Sequence, residues 1–384
     1  MSQVSAGESR FHALDSLRGV AALMVVCTHV YAMWPEELRG NLGWLNHTPL
    51  RMLINGSAAV TFFFVLSGFV LTLPFLTPRA PRYCVFIVRR FCRIYLPFVV
   101  SLWVAFALRQ WVGGAEVAGT SGWFYEQWRA DFNLTDIAYH LTMTGTVQDM
   151  NLNSAIWTII CELRVALIFP LLIWFCRWPK RGLVGVVGLF VFCTWALMRV
   201  TPPLDHALLD TNDVGVTFWV TGRQVPFFML GIMLAQQREI LMAWMLSAPR
   251  WLHGGVMCAL VLIYCAPHYR METALEGLAA VYVVLAVMTR PVLQNGLSVK
   301  PLLWLGRVSY SLYLVHIPVL FALFHGVGNR VSFALLAVAG LLITLTVAQT
   351  FHWLVEKPSL QLGRIVGQYF TPSVVPAPGV PRGL

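Results

Sequence analysis

Charge is what this sequence has least of: only 11% of its 384 residues are Asp, Glu, Lys or Arg, against about a quarter in a soluble domain. That shortage, with 58% apolar residues and a mean hydropathy of +0.69, excludes an ordinary water-soluble fold. No two of the eight cysteines have C-x-x-C spacing, and most lie inside apolar stretches. Neither a disulfide framework nor a zinc site is expected. There is no Gly-x-Ser-x-Gly elbow, so Ser67 carries no signature of a serine hydrolase. A small-residue cleavage site is also missing after the first apolar stretch, which reads as a retained signal anchor.

What remains is apolar residues in blocks of about 18–22, the length a helix needs to cross a bilayer core. Ten such runs lie near 14–34, 57–76, 94–112, 156–176, 183–200, 215–236, 252–267, 273–290, 309–325 and 331–356. The seventh and eighth are the least distinct, because Pro267 and a short polar connector blur their boundary. The fold class expected is all-α: a polytopic membrane helix bundle of about ten spans.

The net charge of +10 could suit a nucleic-acid binder, but its distribution points to membrane topology instead. Arg79, Arg82, Arg89, Arg90 and Arg93 follow the second span, and Arg177, Lys180, Arg181, Arg238, Arg250, Arg290, Lys300 and Arg307 fall in later connectors on that side. The opposite connectors hold Glu36, Glu37, Glu116, Glu126, Asp131, Asp136, Asp149, Asp205, Asp210 and Asp213. Under the positive-inside rule both termini are cytoplasmic, and no nucleic-acid partner is implied. Residues 1–370 read as a single integral-membrane domain, and 371–384, rich in Pro, Gly and Val, as a disordered tail. The one sizeable outer segment, about 113–155, carries Trp123, Phe124, Tyr125 and Trp128 beside acidic residues. It reads either as an interfacial stretch with aromatics at headgroup level or as a wall of an acceptor site.

Ionisable groups inside spans are costly and mark candidate sites. These are Arg18 and His29 in the first span, Glu162 and Arg164 in the fourth, Arg223 in the sixth and His316 in the ninth, with His352 and Glu356 near the inner end of the tenth. His29 lies about 16 Å above Arg18 at 1.5 Å per residue, at a depth close to that of Glu162. The carboxylate could orient the imidazole if the helices are neighbours. Equally, His29 could be a histidine satisfied by a backbone carbonyl of a neighbouring helix, and Glu162 could only neutralise Arg164 or Arg223. Arg90 and Arg93, three residues apart, share a helical face suited to phosphate oxygens, although juxtamembrane arginines also face lipid headgroups. Ser67 and Gly68 would allow close helix approach.

Several of these residues, in order, resemble the membrane-bound acyltransferase-3 family, which O-acetylates bacterial surface polysaccharides. Leu14-Asp15-Ser16-Leu17-Arg18-Gly19 leading to His29 resembles its Arg-x10-His signature. Phe63 to Phe69 is similar to its Phe-Phe-x-Leu-Ser-Gly-Phe element, and Arg90-Phe91-Cys92-Arg93 to its Arg-x-x-Arg motif. Trp157-Thr158 with Glu162, Ser309-Tyr310-Ser311-Leu312-Tyr313-Leu314-Val315-His316, and Glu356-Lys357-Pro358 resemble its later elements. One departure is Cys161-Glu162-Leu163-Arg164-Val165, where the family often has Glu-Glu-x-Phe-Tyr.

The resemblance implies a membrane O-acyltransferase of the bacterial inner membrane. It would take an acyl group, acetyl first among the candidates, from acetyl-CoA or another acyl-CoA to a glycan or lipid-linked sugar. His29 and Glu162 would be catalytic, and Arg18, Arg90, Arg93, Tyr310 and His316 would bind the donor, with no metal. A long, thin pantetheine arm would join cytoplasmic phosphates to a thioester near His29. The competing class is a transporter or flippase of lipid-linked glycan, whose expected marks, inverted repeats and paired broken helices, are not visible.

Overall fold

The computed structural model describes residues 2–41, 44–45, 48–114, 117–128, 134–146, 151–200, 213–265 and 272–370. The tail from 371, and Glu116, Asp131, Asp149, Asp205 and Asp210, lie outside the described residues. In chain order the α-helices are α1 (Ser2–Met33), α2 (Glu36–Asn41), α3 (Gly56–Thr72), α4 (Tyr83–Val112), α5 (Gly122–Glu126), α6 (Leu134–Thr142), α7 (Ile156–Cys176) and α8 (Pro179–Val200). They continue with α9 (Val214–Gln236), α10 (Arg238–Ser247), α11 (Arg250–Cys265), α12 (Glu272–Thr289), α13 (Pro291–Leu297), α14 (Lys300–Val327), α15 (Phe333–Phe351) and α16 (Lys357–Tyr369). The described residues contain no strand, as a bilayer requires of a chain that does not close a barrel.

Eight helices are long and apolar enough to cross a membrane, or up to ten if each of two bent pairs makes one span. Those pairs include the seventh and eighth runs; Pro267, which blurs the boundary between the two, lies outside the described residues. α10 and α11 meet at 111°, and α12 and α13 at 96°. Pro249 and Pro291 stand at these breaks, where a ring without an N–H ends the preceding helix. The chain is a multi-pass membrane protein. Side chains such as Leu171, Trp174, Val184 and Val187 are exposed on its outer faces, as lipid contact allows.

Two spans reach further than their apolar runs. The third expected span began near 94, but α4 starts at Tyr83 and carries Arg89, Arg90 and Arg93 within it. The ninth was expected over 309–325, but α14 is continuous from Lys300. Both extensions are basic turns that periodicity in hydropathy does not register, although helical hydrogen bonding continues through them.

α14 is the central helix, packed against α1, α4 and α15, while α9 packs on α3, α7 and α8. Gly68 of α3 lies against the backbone of Phe228 in α9, and Gly231 of α9 against that of Val65, so a Cβ at either would strike main chain. The close approach expected at Ser67-Gly68 is therefore made by Gly68. The last span ends in a π-helical turn, His352–Glu356. It turns the buried Glu356 inward, where it accepts from Ser311 Oγ (2.6 Å) and His352 Nδ1 (2.9 Å).

Candidate active site

The site has two parts, one above the other along α14. The lower part is a cavity of about 120 Å³ between α1, α3, α4, α7 and α14. Arg18, Arg90 and Arg93 line it with Glu162 and Tyr310, and Phe63, Phe64 and Leu66 of α3 form an apolar wall. Three guanidiniums thus face one carboxylate. Arg90 is almost fully buried and donates to Glu162 Oε1 from Nη2 at 2.5 Å. Arg18 reaches Asp15 (3.3 Å) and Ser309 Oγ (3.4 Å). Arg93 has no hydrogen-bond or ion-pair partner among the described residues. The Tyr310 hydroxyl donates to the Ile94 carbonyl (2.8 Å), which ties α14 to the turn of α4 that bears Arg93.

The floor and the upper part meet at Tyr313. Its hydroxyl donates to Ala155 O (3.2 Å) and accepts from Thr158 Oγ1 (2.7 Å), and both Tyr313 and Thr158 line the cavity. One turn further along α14, His316 lies fully buried. Its Nδ1 contacts the Tyr313 carbonyl at 2.7 Å, and its Nε2 is 3.1 Å from Nδ1 of His29. His29 Nδ1 also lies 3.0 Å from Val25 O. The other ring nitrogen of His29, Nε2, has no hydrogen-bond partner among the described residues.

Trp123 covers His29: the two rings stack at 5.7 Å with a 29° tilt, and Trp123 meets Phe321 edge-on. The short helix α5 carries Trp123 there because its N-cap, Ser121, is bonded to the end of α1. Ser121 N donates to Met33 O (3.0 Å) and Ser121 Oγ to Ala32 O (2.6 Å), while Oγ also caps Phe124 N (3.2 Å). The buried Phe124 then packs on Phe321 and Phe324. Trp123 thus forms part of the wall around His29, and Phe124 packs behind it on Phe321.

The structure brings Arg18, Arg90, Arg93, Glu162 and Tyr310 into one cavity, and His29 and His316 into one contact just beyond it. Three contacts differ from those expected. Glu162 does not orient His29: its partner is Arg90, because α7 packs beside α4 and presents that face to it. Nor does it neutralise Arg164, whose guanidinium donates to Thr217 O, Thr221 Oγ1 and Thr144 O at 2.6–2.9 Å, clamping α7 to α9 and the preceding loop. His316, expected with the donor-binding residues, does not line the cavity and faces His29 instead. The sequence carries only an equal spacing, which becomes a contact because α1 and α14 cross at two glycines. His29 and His316 each follow a glycine, Gly19 and Gly306, by ten residues.

A family profile described as an acyltransferase domain, acyltransferase-3, matches residues 11–353. The chain is 24% identical to the O-acetyltransferase PaAT-1 of Phomopsis amygdali over 91% of its own length and 83% of that protein. It is 25% identical to the acyltransferase MdmB of Streptomyces mycarofaciens over 92% of both chains. It is 26% identical to nodulation protein 10 of Rhizobium leguminosarum bv. viciae over 80% of its length and 83% of that protein. No solved structure matches it. This multi-pass chain belongs to the acyltransferase-3 family.

Proposed function

We propose that the chain is an O-acyltransferase that moves an acyl group, acetyl first among the candidates, from acyl-CoA to a hydroxyl of a glycan or lipid-linked sugar. The observation that carries this reading is a cavity with three arginines at one end and, past Tyr313, a histidine with an open nitrogen. Planar guanidiniums bind phosphate oxygens in pairs. Arg93, with no carboxylate at ion-pair distance among the described residues, is the first candidate for the donor's phosphates, and Arg18 and Arg90 add positive potential around it. The apolar wall from Phe63 to Leu66 suits a thin pantetheine arm, and the thioester then lies toward His29.

His29 Nε2 removes the proton of the acceptor hydroxyl as general base. The acceptor oxygen bonds to the acyl carbon, the carbon–sulfur bond breaks, and the leaving thiolate receives the proton from Nε2. Transfer through an acyl-imidazole on the same nitrogen is the variant route, and ping-pong kinetics separate the two. A relative named as an O-acetyltransferase supports acetyl and oxygen as the group and the acceptor atom. Trp123 over His29 supports a sugar, whose apolar ring face stacks on an indole. In this reading the arginine end faces the cytoplasm of a bacterial inner membrane.

The test is transfer of label from radiolabelled acetyl-CoA into extracted glycans, in membranes carrying the protein or its His29→Ala variant. Label that depends on His29 supports the reaction and its base. Label that persists in His29→Ala at equal expression overturns the role of His29. No label from the unaltered protein, with expression verified, rejects acetyl-CoA as donor.

A further inference from the structure

We propose that His316 is a positioning residue for His29: a neutral hydrogen-bond acceptor that holds the Nδ1 proton of His29 and binds it more tightly once His29 becomes charged. The proposal rests on the acyl-transfer reading above, and it starts from the direction of three hydrogen bonds. The Tyr313 carbonyl, 2.7 Å from His316 Nδ1, can only accept, so the proton of that ring is on Nδ1. A neutral imidazole has one N–H, which leaves Nε2 of His316 as a lone pair. That lone pair is 3.1 Å from His29 Nδ1.

Two tautomers of His29 are then unequal. With its proton on Nε2, the Nδ1 lone pair of His29 would face two further acceptors, Val25 O at 3.0 Å and His316 Nε2 at 3.1 Å. With the proton on Nδ1, both contacts become hydrogen bonds to the same N–H. The second arrangement holds, and it leaves Nε2 of His29 unprotonated and open. A doubly protonated His316 would escape this logic, but it would be a cation in a fully buried site with no carboxylate beside it. The two nearby acids are engaged elsewhere, Glu162 on Arg90 and Glu356 on Ser311 and His352.

The reaction changes the strength of this bond. When the acceptor's proton reaches Nε2, His29 carries two N–H groups and a positive charge. Its Nδ1–H to His316 Nε2 becomes charge-assisted, and such bonds are roughly twice as strong as neutral ones. An interaction that strengthens only as the proton moves raises kcat and leaves donor binding alone. His316 itself neither gains nor loses a proton, and it touches neither substrate.

The test has a spectroscopic arm and a kinetic arm. Protein labelled with ¹⁵N in histidine alone, with the His29 signals identified by their loss in His29→Gln, reports which nitrogen of His29 is protonated. Nδ1 is expected; protonation at Nε2 overturns the proposal whatever the activity. In the kinetic arm, His316→Ala should lower kcat about 10- to 100-fold, the span of one hydrogen bond to a charged group, with donor KM changed less than about twofold. His316→Gln, whose amide oxygen can accept from His29, should recover part of the loss. An unchanged kcat, or a loss carried by donor KM, overturns the proposal, the latter making His316 a donor contact. A wild-type protein that transfers nothing from acyl-CoA rejects the reaction reading instead, and the nitrogen spectrum still decides the proton arrangement.

Discussion

Gly19 lies against the backbone of Gly306, so close that a Cβ on either residue would strike main-chain atoms of the other helix. α1 and α14 run in the same direction from this contact, and ten residues later, about 15 Å at 1.5 Å per residue, His29 and His316 meet at 3.1 Å. A close crossing at one level and a nitrogen pair at another are two consequences of one helix packing. The second follows from the first because parallel helices with equal spacing stay in register over three turns.

That register makes Gly306→Val a sharp test. The added side chain meets backbone, which cannot rotate away, so α1 and α14 must separate. Overpacking of this kind costs about 1–3 kcal/mol, and the thermal midpoint in detergent should fall together with transfer activity. Gly254→Ala is the control: nothing lies within 4 Å of the added atom in α11, and stability should change by less than about 1 kcal/mol. An unaltered midpoint and full activity for Gly306→Val would contradict the packing.

Arg93 and Glu162 are expected to behave differently although they line one cavity. Arg93→Ala removes the guanidinium that has no carboxylate at ion-pair distance among the described residues. Donor KM should rise about 10- to 100-fold, as for loss of a hydrogen bond to a charged group, with kcat nearly unchanged. Glu162→Gln leaves Arg90 without its counter-charge in a buried position, so stability should fall by about 1–3 kcal/mol. Adding Arg90→Gln should restore part of it, and a double-mutant cycle measures the coupling. A Glu162→Gln variant that lost only kcat, with no coupling to Arg90, would return Glu162 to the side of His29.

Trp123 shields His29, and its removal should admit water where the acceptor belongs. Trp123→Ala is expected to raise acyl-CoA hydrolysis in the absence of acceptor and to raise acceptor KM by about 2- to 10-fold, the value of one aromatic contact. Thiol release and label transfer, measured on the same membranes, give the ratio. A ratio equal to that of the unaltered protein would place the acceptor elsewhere.

Much of this protein is decided by composition and spacing alone. Helical spans follow from long apolar blocks because a bilayer core leaves backbone groups no other partner, and most spans begin and end near their apolar runs. Arg18, His29, Glu162 and His316 stood out because ionisable groups in spans are costly, Arg90 and Arg93 by their helical spacing, and Tyr310 because the order of these motifs matches a family. The seventh and eighth runs are the helices α11 and α12, each bent against a short neighbouring helix beside a proline outside the run.

Partnership was a different matter. Depth along a helix is a one-dimensional quantity, readable at 1.5 Å per residue, whereas contact also needs the azimuth of each side chain and the identity of the neighbouring helix. Glu162 has the depth to reach His29, but the face of α7 that bears it is turned to α4, so its carboxylate meets Arg90. His316 reads as one more polar residue of a motif until α14 packs against α1 through Gly19 and Gly306. Composition and residue order determined that this chain spans a membrane and which polar side chains are candidates for its chemistry. Helix packing, a balance of close contacts that no single segment encodes, decided which of those side chains face one another.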